Sequence, residues 1–211
     1  MMRARLAPLA LQTWVPWFFM LSGFVLTQAR LKSDKAETIV SFLRKRTAVI
    51  YPLYAVGLAS ALTVRWSQGV RFPASYELMA QGILAQSLVP WLPERSVQVQ
   101  CWFLSAMVPF WLLFGPLFSH LILRLRSLHT TCAVLALLTI PPWLSYIIPL
   151  WLGDPNWYML HHTGQTGDAL DLIVITLKFN PACYLHVFVY GMVLARLRCH
   201  RYSTQLDQRI R

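Results

Sequence analysis

Long apolar stretches, separated by short clusters of basic residues, constrain this chain more than any other feature of its sequence. Apolar residues dominate five stretches: 6–29, 47–64, 101–123, 131–152 and 181–197. A helix needs about 20 apolar residues to cross the hydrocarbon core of a bilayer. Hydrophobic residues make up 56% of the chain and charged residues only 13%, whereas a soluble domain carries about 25% charge. The sequence therefore predicts an all-α, multi-pass transmembrane helical bundle in the lipid bilayer.

A sixth stretch, residues 76–92, leaves the number of spans open. It carries Glu77, Gln81 and Gln86 and ends in Pro90-Trp91-Leu92-Pro93. It is either a poor span or a re-entrant helix buried against the bundle. The prediction is therefore five to six spans, with a kink or break in the fourth stretch at two consecutive prolines.

The charge distribution predicts how the chain is oriented. Nineteen Lys and Arg against eight Asp and Glu give a net charge of +11. The basic residues lie between apolar stretches, which favours anchoring at a membrane face over binding nucleic acid. The loop 30–46 holds six basic and two acidic residues, so we expect it to be cytoplasmic. We expect residues 1–200 to form a single transmembrane domain, N-terminally incomplete, and 201–211 a basic cytoplasmic tail.

Two short motifs near the first predicted loop are candidates for function. Ser22 and Gly23 lie within an apolar stretch, where small residues let another helix backbone approach closely. Arg44, Lys45 and Arg46 precede the second span. They are either a topology anchor that reaches lipid headgroups or a clamp for ligand phosphates, which arginine binds through its planar fork.

Histidines supply the remaining candidates. His186 lies within the last predicted span, where an ionisable side chain either faces a functional cavity or packs in a neutral, hydrogen-bonded form. His161 and His162, followed by Asp168 and Asp171, could bind a metal or act as a base. Adjacent histidines point in different directions on most backbones, so an exposed polar loop is the simpler interpretation. No cysteine or histidine spacing predicts a zinc site, and we expect no metal.

The order of four motifs resembles the acyltransferase-3 family of integral membrane acyltransferases. Residues 18–24 (FFMLSGF) are similar to the family's FF-x-LSGF helix. Residues 42–54 (FLRKRTAVIYPLY) are similar to its basic segment ending in P-x-Y. Residues 102–113 resemble its helix containing WSLSVE, and residues 180–192 resemble a late helix ending in GM.

The resemblance implies a membrane-bound O-acyltransferase that uses acyl-CoA as its co-substrate. Such an enzyme moves an acyl group, usually acetyl, to a hydroxyl-bearing acceptor such as a carbohydrate. Acyl-CoA would dock from the cytoplasmic face. Arg44, Lys45 and Arg46 would then neutralise its phosphates, with Ser22 and Gly23 in the adjoining helix.

Departures from the family pattern open alternatives. The second arginine of the family's R-x-x-R pair falls on Val49, and the glutamate of the WSLSVE motif falls on Met107. The family's proton-accepting histidine has no counterpart, which leaves His186 as the intramembrane substitute and Ser105 as a candidate oxyanion donor. The alternatives are an inactive or shortened relative that keeps the bundle and, less in keeping with its apolar spans, a transporter subunit.

Overall fold

Helices make up most of the backbone that the structure describes. The computed structural model describes residues 6–33, 38–141, 144, 147 and 175–210, and no β-strand occurs within these ranges. The α-helices are α1 (Leu6–Leu31), α2 (Ile39–Ser67), α3 (Ser75–Gly82), α4 (Leu92–Arg95), α5 (Trp102–His120), α6 (Leu128–Leu137) and α7 (Leu185–Ile210). Short 3₁₀ turns lie at Gln86–Leu88, Val99–Cys101, Ile122–Arg124 and Pro181–Tyr184. The predicted all-α fold class is therefore confirmed for these residues.

Three helical segments of the described chain are both long and apolar enough to cross a membrane. They are Ile39–Ser67, Val99–Arg124 and Pro181–Cys199, which correspond to the predicted spans 47–64, 101–123 and 181–197. The first predicted span, 6–29, forms the continuous helix α1. The total of five to six spans remains a prediction.

Helix α2 begins well before the predicted span. Its first residue is Ile39, because Thr38 caps the helix by accepting a hydrogen bond from the Ser41 backbone amide at 3.4 Å. The helix has 29 residues, so at about 1.5 Å per residue it is roughly 44 Å long, more than the ~30 Å hydrocarbon core. The extra length is enough to hold its basic first turns at headgroup level.

Helix α6 ends at Leu137, short of the predicted span 131–152. The Leu138 and Thr139 amides close the last turn onto Val134 and Ala136. Helical backbone resumes at Ile140 and Pro141, and proline is tolerated in a first turn because its missing N–H has no partner there. The interruption lies at Leu138 and Thr139, just before the two prolines at which the break or kink was predicted. The remainder of this stretch lies largely outside the described residues.

The ambiguous stretch 76–92 is not a continuous span. Helix α3 has eight residues and is only about 12 Å long. Its end is set by Leu84, whose φ of 55° lies in the left-handed region. The Leu84 amide bonds to Gln81 and the Ala85 amide bonds to Ala80, the pairing in which glycine usually occupies the left-handed position. This geometry supports the re-entrant or interfacial alternative over a sixth transmembrane helix.

The chain forms two compact units. The first comprises Met1–Ala36, Leu113–His162 and Ala182–Arg211, and the second comprises Glu37–Leu112 and Thr163–Pro181. Helix α5 contributes to both. Helix α7 continues to Ile210, so residues 201–210 of the predicted tail are helical. The prediction of one transmembrane domain over residues 1–200 remains a prediction.

The core of the first unit is a close crossing of α1 and α7 at two glycines. A Cβ on Gly23 would collide with the Phe188 carbonyl and approach the Met192 amide nitrogen to 3.3 Å. A Cβ on Gly191 would collide with the Met20 carbonyl. The crossing therefore requires glycine on both helices, and the prediction that Gly23 permits a close backbone approach is confirmed.

Candidate functional site

The basic cluster Arg44, Lys45 and Arg46 lies within α2 and belongs to the second unit. Arg44 and Lys45 are exposed and Arg46 is half-buried. The Arg46 guanidinium lies over the Phe42 ring, 5.5 Å from its centroid, a contact that stabilises by about 0.5–1 kcal/mol at exposed sites. This contact restrains the Arg46 side chain, whose guanidinium has five N–H donors for an anion. We therefore take Arg46 as the leading candidate of the three.

Val49 lies one turn beyond Arg46 on the same side of α2. Residues three apart on a helix have Cβ atoms about 5–6 Å apart, so an arginine pair at these positions could bind one phosphate group together. The Val49 side chain is 78% exposed, so most of it is not packed against other residues of the protein. The departure from the family pair is thus a loss of charge near the start of the predicted span 47–64, at a position where protein packing leaves room for a longer side chain.

Ser105 lies at the buried end of α5 and is paired with Ser87 in the second unit. Both side chains are fully buried. The Ser87 backbone amide donates to Ser105 Oγ at 3.0 Å, and the two Oγ atoms are 2.9 Å apart. Trp102, one turn earlier on α5, packs edge-on against Phe179 with ring centroids 5.4 Å apart. Met107, where the family has a carboxylate, is buried and apolar.

Hydrogen bonds from α2 hold the end of α3 in place, and so position the turn that carries Ser87. The Tyr51 hydroxyl donates to the Gly82 carbonyl at 2.8 Å, and the Tyr54 hydroxyl donates to the Gln81 carbonyl at 2.9 Å. These carbonyls belong to the last turn of α3, where the regular helical bonding pattern ends, and the Gln81 carbonyl also accepts from the Leu84 amide at 3.0 Å. The Gln81 side chain in turn accepts from the Val97 amide at 2.9 Å. The segment is thus a cross-linked polar scaffold rather than a loose loop.

Two buried polar residues of the second unit were not predicted from the sequence. Gln86 is 1% exposed, and neither its amide nitrogen nor its amide oxygen has a hydrogen-bond partner within the described part of the chain. Lys178 is 4% exposed, and its ammonium lies 5.3 Å from the centroid of the Phe179 ring. In the sequence, each of these two residues is an isolated polar residue in apolar surroundings. That pattern alone does not show whether the side chain is buried.

His186 lies in α7, in the first unit, and is half-buried. It interacts with the backbone of Cys183 in the preceding 3₁₀ turn. Ser22 is also in the first unit and is half-buried on α1. The predicted site residues are therefore divided between the units: His186, Ser22 and Gly23 in the first, and Ser105 with the basic cluster in the second. The predicted histidine and aspartate group at 161–171 lies outside the described residues.

The chain has apolar helices long enough to span a bilayer, which is typical of a helical integral membrane protein. Its candidate site residues include a basic helix start and a buried pair of serine hydroxyls. Comparison with protein families identifies it further. The chain matches the model of the acyltransferase-3 family, described as an acyltransferase domain, over residues 3–210. The chain belongs to this family, as the motif resemblance predicted. No curated protein and no solved structure gives a significant match.

Proposed function

We propose that the protein transfers an acyl group, most simply acetyl, from acyl-CoA to a hydroxyl of a carbohydrate or similar acceptor. The observation that carries the proposal is the family match over residues 3–210, which supports acyl transfer by a membrane protein. The family match does not identify the acyl donor or the acceptor, and both identities are our proposal.

Acyl-CoA is the proposed donor because its phosphates need cations at the membrane face. Arg46, with Arg44 and Lys45, would neutralise them from the cytoplasmic side. The charge of residues 30–46 supports that orientation. Ser22 and Gly23 stay proposed as donor-binding residues, although the α1–α7 crossing already accounts for Gly23.

Acyl transfer requires the acceptor hydroxyl oxygen to attack the thioester carbonyl. The new C–O bond forms, the C–S bond breaks, and the proton of the hydroxyl passes through a base to the departing CoA thiolate. His186 of the first unit is the proposed base. A donor for the carbonyl oxygen is also needed. Ser105 of the second unit is proposed for that role as a separate candidate, and the two residues are not assigned to one joint site.

The hydrogen bonds of Ser105 suit this role. A serine hydroxyl has one proton to donate and two lone pairs to accept with. Ser105 Oγ accepts from the Ser87 amide and lies 2.9 Å from the Ser87 hydroxyl. When the Ser87 hydroxyl is the donor of that second contact, the Ser105 proton stays available for the substrate oxygen.

The alternative proposal is an inactive relative that keeps the fold and has lost the reaction. Val49 and Met107 favour it, since each replaces a charged family residue. A charge-assisted hydrogen bond contributes about 1.5–3 kcal/mol, so the loss of two such contacts is substantial. Measuring turnover separates the two proposals.

The test is release of CoA from acetyl-CoA by the purified, membrane-reconstituted protein, with Arg46→Ala compared against Arg71→Ala. Arg71 is an exposed residue of the same unit and serves as the matched control. We expect Arg46→Ala to raise the KM for acetyl-CoA about ten- to a hundredfold, from the loss of 1.5–3 kcal/mol, and Arg71→Ala to leave it unchanged. Absence of turnover in the unaltered protein would favour the inactive relative. Equal effects of both variants would contradict the phosphate clamp.

A further inference from the structure

Gln86 is a buried amide whose hydrogen-bonding capacity is unused. Its side chain is 1% exposed, and both polar atoms lack partners among the described residues. Leaving a buried donor or acceptor unsatisfied costs about 1–3 kcal/mol. Buried polar groups in folded proteins normally have partners, so the absence of both partners points to a ligand that supplies them.

Hydrogen bonds of the neighbouring residue hold the backbone around Gln86 in place. Gln86 opens the 3₁₀ turn Gln86–Leu88. The next residue, Ser87, bonds to Ser105 through both its amide and its hydroxyl. Consecutive Cα atoms are about 3.8 Å apart, so the Gln86 backbone lies within one residue of the serine pair. A molecule bound to Gln86 would be held beside the proposed oxyanion donor.

The chemistry of the amide restricts the ligand. A glutamine side chain offers a donor and an acceptor side by side on one edge. A trans secondary amide, as in the pantetheine arm of CoA, carries its N–H and C=O on opposite edges and cannot reach both atoms. A single hydroxyl reaches one of them at a time. Two adjacent hydroxyls of a sugar ring match the pair, since one donates to Oε1 while the other accepts from Nε2.

We propose that Gln86 binds a vicinal diol of a carbohydrate acceptor and holds one of its hydroxyls, or the hydroxyl next to them, for acylation. This deepens the proposed function and rests on it. It assigns the acceptor subsite to the turn at Gln86–Leu88 and makes Gln86 a specificity-determining residue. An adenine edge could also pair with a glutamine amide, which would place CoA rather than the acceptor at this position.

The probes are methyl α-mannopyranoside and methyl α-glucopyranoside, each compared with its monodeoxy analogues. Binding is measured by thermal stabilisation of the reconstituted protein without acyl-CoA, and acylation is measured with acetyl-CoA present. The variant is Gln86→Met, which keeps the side-chain length and removes both polar atoms. The control is Gln100→Met, at an exposed position of the same segment.

We expect the unaltered protein to prefer a complete diol over its monodeoxy analogues by about tenfold or more, because the missing hydroxyl leaves a buried amide atom unpaired. In Gln86→Met the preference should disappear and the KM for the sugar should rise about tenfold, with the KM for acetyl-CoA unchanged. Gln100→Met should behave like the unaltered protein. If Gln86→Met does not fold, Gln86→Leu, which also removes both polar atoms, should show the same loss of preference.

Three results would overturn the inference. They are no diol preference in the unaltered protein, an unchanged preference in Gln86→Met, and a rise in the KM for acetyl-CoA instead of the sugar. The proposed function fails separately, through the absence of acyl transfer to any acceptor. Sugar binding without acyl-CoA still reports on Gln86 in that case.

Discussion

The three adjacent cations on α2 differ in what surrounds them. Arg44 and Lys45 are exposed, as expected for residues that reach lipid headgroups, whereas Arg46 packs on the Phe42 ring. Successive helical residues point about 100° apart, so a single phosphate cannot meet all three in the same way. The sequence predicted the cluster correctly as a unit, but only the structure distinguishes Arg46 within it.

Restoring the missing cation at position 49 should strengthen donor binding. Val49→Arg places a second guanidinium one turn from Arg46, at a position that is 78% exposed and so carries little packing cost. We expect the KM for acetyl-CoA to fall about three- to tenfold, an effect of roughly 0.7–1.4 kcal/mol, and the gain to shrink at high ionic strength. Initial rates at varied acetyl-CoA concentration measure this. The control Val49→Leu should leave the KM unchanged; the same gain in Val49→Leu, or none in Val49→Arg, would argue against phosphate binding at this face.

Gln86 and Lys178 show why the candidate site could be predicted only in part. Their residue types are visible in the sequence, but their burial depends on packing between segments distant along the chain. Gln86 is covered within a segment whose path is fixed by Tyr51 and Tyr54 of α2. No local pattern contains that information, and the family motifs pass over both residues.

At the level of elements, apolar length predicted the helices well and their ends poorly. Helix α2 begins earlier than the predicted span because Thr38 provides an N-cap. The end of α3 depends on Leu84, a branched residue in the left-handed region where glycine is usual. Single prolines were not a reliable signal of a helix end either, since Pro16 and Pro52 lie inside the continuous helices α1 and α2.

The α1–α7 crossing should depend on its glycines. Gly23→Ala brings a Cβ onto the Phe188 carbonyl, so the two helices must separate, at a cost of about 1–3 kcal/mol. Gly115→Ala is the matched control, because a Cβ there meets nothing within 4 Å and alanine favours the helix by up to about 1 kcal/mol. Thermal unfolding in detergent should therefore give a lower midpoint for Gly23→Ala and an equal or higher one for Gly115→Ala. Equal midpoints for both variants would mean that the crossing is looser than described.

For the whole molecule, composition was sufficient to predict a helical membrane protein, and the motifs were sufficient to predict the family. Composition and motifs did not determine the number of spans or the orientation of the chain in the membrane. Both depend on how short segments such as α3 lie relative to the bilayer, which apolar length does not determine. The charge of the loop 30–46 remains the main argument for a cytoplasmic acyl-CoA entrance.

Acyl transfer in sealed vesicles of known orientation tests this account most directly. Labelled acetyl-CoA, which does not cross the bilayer, is added outside vesicles that carry the protein, and acylated acceptor is measured. We predict product when the cytoplasmic face is outward and almost none when it is inward, with the rate reduced by Arg46→Ala in the first case. Product of equal amount in both orientations, product only from the opposite face, or no product at all would contradict the account.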